Sequence, residues 1–140
     1  MHYTLKAMRL LQKTSLSFLA SAIFCGLYNQ WTCAAINTCL GITSICNHTK
    51  YTRTTLAVDR IMIGVFTFQI IRISYSQYIT SIPVLLGYMY VFYCYIYGYY
   101  KKCGSFDICK SKGDKYHAVM HIIAPLIYST VIILNDAVYS

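Results

Sequence analysis

The stretch YMYVFYCYIYGYY, residues 88–100, decides how the chain is read. Tyr93, Tyr95, Tyr97 and Tyr99 alternate with other residues, which is the period of a β-strand. The run is also apolar and uncharged, as a membrane helix would be. Within a bilayer a strand must close into a barrel, because no water satisfies an unpaired backbone there. No other segment of the 140 residues alternates in this way, so the run reads as a helix. Its tyrosines then suit an interfacial belt. The alternative role for them is to line a lipid pocket.

The rest of the chain agrees with a membrane helix. It is 57% hydrophobic and 11% charged, where a soluble domain carries about a quarter charged residues. Apolar segments at about 14–28, 31–47, 55–71, 78–100 and 117–134 predict an all-α integral membrane bundle. Residues 1–140 form a single transmembrane domain on this reading. The seven cysteines are scattered through the apolar segments and one loop, which suits packing better than a disulfide framework.

A net charge of +8 raises nucleic acid as a partner. The basic residues, however, lie in short loops beside apolar segments, where they set orientation and meet anionic lipid. With five spans, Lys6, Arg9, Lys13, Lys50, Arg53, Arg60, Lys101, Lys102, Lys110, Lys112 and Lys115 share one side, and only Arg72 falls opposite. This asymmetry predicts a multi-pass protein with a cytosolic N-terminus, in the endoplasmic reticulum, the Golgi or another cellular membrane. Residues 8–22, MRLLQKTSLSFLASA, also have the form of a signal peptide with Ala20-Ser21-Ala22 as its cleavage site. Cleavage there would leave four spans with the same orientation.

That topology brings polar residues from distant segments to one face. His48 leaves the second span, Asp59 lies about a turn into the third, and His117 and His121 open the last. Asn37, Gly41, Ser44 and His48 form a small and polar stripe at helical spacing. His117 and His121, four residues apart, leave one helix face within reach of a single ion. Pro125 has no N–H to offer the carbonyl of His121, which is left to kink the helix or to accept another bond. Taken singly, each of these is a packing or interfacial residue. Together they make a candidate site, because ionisable groups inside spans are costly and mark function. Three neutral imidazoles with an open fourth position suit catalytic zinc. Asp59 is then the candidate proton acceptor, and Ser44 the candidate hydroxyl at the oxyanion.

The constellation resembles the CREST superfamily of membrane hydrolases, which includes the alkaline ceramidases and the Per1-type lipid remodelling factors. The resemblance rests on Ser44-x3-His48, on Asp59 eleven residues later, and on His117-x3-His121. Gly41 is similar to the ceramidase pattern, and His48-Thr49-Lys50 to the Per1 pattern. The resemblance implies zinc on His48, His117 and His121, with Asp59 and Ser44 as catalytic residues. It also implies hydrolysis of an amide or ester bond in a sphingolipid or phospholipid. Superfamily members have seven spans; omitting a pair between the third and the last keeps every motif on its side. The alternatives are a non-catalytic membrane protein with a structural zinc or lipid site, and a small pore. A dimer would be one way to close a shortened cavity. Asn47-His48-Thr49 is an N-glycosylation sequon, which a cytosolic location predicts to remain unmodified.

Overall fold

The computed structural model describes residues 2–76 and 82–139. They form five α-helices, and no strand occurs among the described residues: α1 (His2–Leu27), α2 (Trp31–Thr49), α3 (Arg53–Ser76), α4 (Ile82–Lys101) and α5 (Lys110–Tyr139). A single 3-10 turn (Gly104–Phe106) precedes α5. Residues 88–100 are helical, as expected, with Tyr93 and Tyr97 stacked one turn apart at 5.8 Å. Residues 78–81 of the fourth predicted span, like the side chains of Lys6, Arg9 and Lys110, lie outside the described residues.

The helix ends have local causes. Asn29 sits in the left-handed region at φ 55°, which lets Gln30 N–H bond the Cys25 carbonyl at 2.9 Å and turns the chain into α2. Thr52 and Thr55 cap α3 reciprocally: Thr55 N–H donates to Thr52 Oγ1 at 3.1 Å, and Thr52 N–H to Thr55 Oγ1 at 2.9 Å. That cap fixes where Asp59 falls on α3. At the end of α4, Cys103 N–H returns to the Gly98 carbonyl at 3.1 Å. A Cβ at Gly98 would stand 2.7 Å from the Cys103 carbonyl oxygen, so only glycine admits this close return.

Helix α1 packs on both α2 and α5, and α2 also packs on α3. At the α1–α2 crossing a Cβ on Gly41 would meet Leu19 Cδ2 at 2.9 Å and Phe18 Cβ at 3.3 Å, so the absent side chain lets the helices approach. The core runs through Phe18, Leu40, Phe66, Ile70, Tyr128 and Ile132. Phe66 stacks on Tyr128 at 4.7 Å, and Phe18 meets Phe66 edge-on at 5.8 Å. Contacts between α3 and α4 are sparse. Among the described residues two helical segments, Leu10–Leu27 and Ser111–Leu134, are long and apolar enough to cross a membrane.

One expectation changes with the helix bounds. His117 and His121 do not open the last helix, because α5 begins at Lys110. Asp107 Oδ1 takes the Cys109 N–H at 2.8 Å at the entry, and the helix runs through Gly113 without interruption. The two histidines therefore lie about two and three turns inside α5.

Candidate metal centre

Helices α2 and α5 meet where both carry histidine. The rings of His48 and His117 lie 5.2 Å apart between centroids, those of His48 and His121 5.2 Å, and those of His117 and His121 4.7 Å. One ring nitrogen from each falls within 4.8 Å of the other two, so the three could hold one metal ion. His121 is buried and the other two are half-buried.

The surroundings of His121 favour one tautomer. Ser15 Oγ donates to the Leu11 carbonyl at 2.8 Å, and Thr14 Oγ1 donates to the carbonyls of Leu10 and Leu11 at 3.1 Å. With their protons committed to the helix, these hydroxyls accept from His121 Nδ1–H, at 3.2 Å for Ser15 and 3.3 Å for Thr14. The Nε2 lone pair then faces Ser44 Oγ, whose place a ligand could take, and outer partners orient a metal-binding imidazole in this way. Ser44 Oγ lies 3.4 Å from that Nε2 and 3.3 Å from Ser15 Oγ. Ser17 donates to the His121 carbonyl, so the acceptor that Pro125 leaves free is satisfied from α1.

His48 lies just beyond the predicted end of its span. Its Nε2 is buried and makes no hydrogen bond to a described residue. Burial lowers its pKa to about 4, because the charged ring would lose its hydration. A half-buried imidazole held neutral, with a buried and unpartnered nitrogen beside two other imidazoles, is a donor set that a metal ion can take. On this test the three residues could hold a metal ion.

Asp59 is 4% exposed on α3. Its Oδ2 accepts from Asn47 Nδ2 at 3.1 Å, while Oδ1 is buried without a partner among the described residues. Thr55 Oγ1 lies 3.5 Å from Asn47 Oδ1, which ties the pair to the α3 cap. Asp59, Ser44, His117 and His121 all line one cavity of about 90 Å³. Its remaining wall is mostly apolar and aromatic, including Phe18, Phe66 and Met120. Tyr88 and Tyr95 also line it, whereas Tyr90, Tyr93, Tyr97, Tyr99 and Tyr100 are exposed. The tyrosines of α4 are thus divided between pocket and surface.

All five residues selected from the sequence gather at this place. The predicted stripe on α2 is a real face: Asn37, Gly41 and Ser44 are buried and His48 is half-buried. In the sequence Thr14, Ser15 and Ser17 belong to an apolar, signal-like segment, and Asn47 stands out only as a sequon residue. A signal for the first group existed in the clustering of three hydroxyls along one turn of α1. Asn47 gave none, since its partner depends on how α2 meets α3. No protein-family model, curated protein or solved structure matches the chain, so its geometry alone describes the site: three imidazoles able to hold a metal ion beside a buried carboxylate and a serine.

Proposed function

We propose that the chain is a compact zinc-dependent integral membrane hydrolase that cleaves an amide or ester bond in a sphingolipid or phospholipid. The observation that supports it most is the cavity shared by Asp59, Ser44, His117 and His121, with His48 completing the imidazole set. These are the five positions on which the chain resembles the CREST superfamily, of which it would be a shortened member. The membrane setting draws support from exposed apolar side chains around the bundle, among them Ile23, Ile61, Phe68, Leu86 and Leu126.

His48, His117 and His121 would hold the ion. Zinc supplies a Lewis acid that polarises a carbonyl and acidifies water. Asn47 fixes one oxygen of Asp59 and leaves the other free to take a proton from water. Ser44 can donate its hydroxyl hydrogen to an oxygen that gains negative charge during attack. The apolar wall excludes bulk water and suits an acyl chain.

The test is metal content and lipid turnover of detergent-purified protein, beside a His117→Ala/His121→Ala variant. The expected result is about one zinc per chain, lost in the variant, with fatty acid released from ceramide or phospholipid by the parent alone. Absence of zinc from the parent, or equal release by both proteins, would overturn the reading.

A further inference from the structure

A second space lies beside the cavity, where α3 and α4 meet only sparsely. It is a groove of about 500 Å³, walled by Gly64, Thr67 and Phe68 on one side and Ile96, Tyr99 and Tyr100 on the other. Ile63, Phe92 and Tyr95 line both the groove and the histidine cavity, so the two spaces share a wall of three side chains. Arg60 lines the groove next in sequence to Asp59 and is exposed. The Lys102 ammonium sits 4.6 Å from the centre of the Tyr99 ring, on the α4 side.

We propose that this groove takes an acyl chain of an acidic phospholipid entering sideways from the bilayer, with Arg60 and Lys102 holding its phosphate. The inference rests on the membrane-hydrolase reading above and narrows its substrate. An apolar, aromatic groove without charge at its rim would serve a neutral ceramide as well as any other lipid. Arg60 in the lining and Lys102 on the Tyr99 ring have no use for ceramide, whereas both attract an anionic lipid near a membrane surface. Arginine in particular matches phosphate geometry through its planar fork. A lipid seated here lies against the histidine cavity, with Ile63, Phe92 and Tyr95 between the two spaces.

Gly64 offers a clean way to close the groove. A Cβ added there meets nothing within 4 Å, so leucine would project into open space without moving the backbone. Glycine inside a helix is also less favourable than leucine, which favours folding of the variant.

The experiment incubates the full chain in micelles containing equal amounts of phosphatidylglycerol and phosphatidylcholine of the same chain length. Retained lipid is then quantified by mass spectrometry, with metal content measured on the same samples. The parent should enrich phosphatidylglycerol about fivefold or more. Arg60→Gln/Lys102→Gln should return the ratio to that of the micelle, and Gly64→Leu should lower retention of both lipids. Metal content should be unchanged in every protein. Equal enrichment by parent and double variant would overturn the proposal, as would full lipid retention by Gly64→Leu. Loss of a dimer in Gly64→Leu with retention unchanged would assign the groove to a second copy of the chain, and would overturn it too. Neither readout requires turnover: selective retention without hydrolysis would remove the enzymatic reading and leave the groove assignment standing.

Discussion

Among single residues, Asp59 and Ser15 separate two ways of serving a metal site. Asp59 has one oxygen held by Asn47 and one without a partner among the described residues, so the proposed hydrolase would use it for proton transfer rather than metal retention. Asp59→Asn is expected to keep the metal and lose turnover by at least about a hundredfold, whereas His117→Ala loses both; parallel metal analysis and lipid release check this. Ser15 acts through His121. Ser15→Ala should weaken metal affinity about tenfold, with Ser15→Thr restoring most of it, as read by competition with a chelating dye. His48 introduces a pH dependence in the metal-free protein. Its folded pKa, about 4, lies below the ordinary 6.5, so the unfolded chain binds the extra proton between these values. Its contribution to stability is complete above pH 6.5 and is lost progressively as pH falls toward about 4. Thermal melts of parent and His48→Gln at pH 7.5 and 5 should show the larger acid loss in the parent.

Among the helices, α1 does more than anchor the chain. It packs on α2 and α5 at once and supplies Thr14, Ser15 and Ser17 to the surroundings of His121. Cleavage at Ala20–Ala22 would remove those hydroxyls together with Phe18, a core residue. A form lacking residues 1–22 should therefore bind metal poorly, which co-purified metal would reveal. Close packing is equally specific at Gly41. Gly41→Val drives a side chain into Leu19 and Phe18, and overpacking of this kind costs about 1–3 kcal/mol. A lowered melting temperature in detergent is the expected outcome.

At the scale of the whole molecule, the uneven distribution of Lys and Arg predicts that the connection between α4 and α5 is cytosolic. Cys109 is exposed in that loop, so a membrane-impermeant maleimide should label it in inverted vesicles and spare it in sealed, right-side-out ones. The helical class, the face of α2 and the identity of the three histidines were legible in the chain alone, because hydropathy and helical period are local properties that neighbouring residues impose. The free carbonyl of His121 was legible too, since proline lacks an N–H whatever surrounds it. The start of α5 was not: a short polar run can be loop or helix, and here the Lys112 and Gly113 N–H groups both bond the Cys109 carbonyl, so the helix opens before the histidines. Nor were the partners of His121 and Asp59, because a serine in an apolar helix looks the same whether it packs or positions a ring. By itself, then, the sequence determined which residues are available and which of them share a face of one helix. Only the tertiary structure decided that α1 holds His121 and that Asn47 holds Asp59. The same packing opens a groove between α3 and α4, for such contacts depend on how close helices approach, and that is set by side chains far apart in the chain.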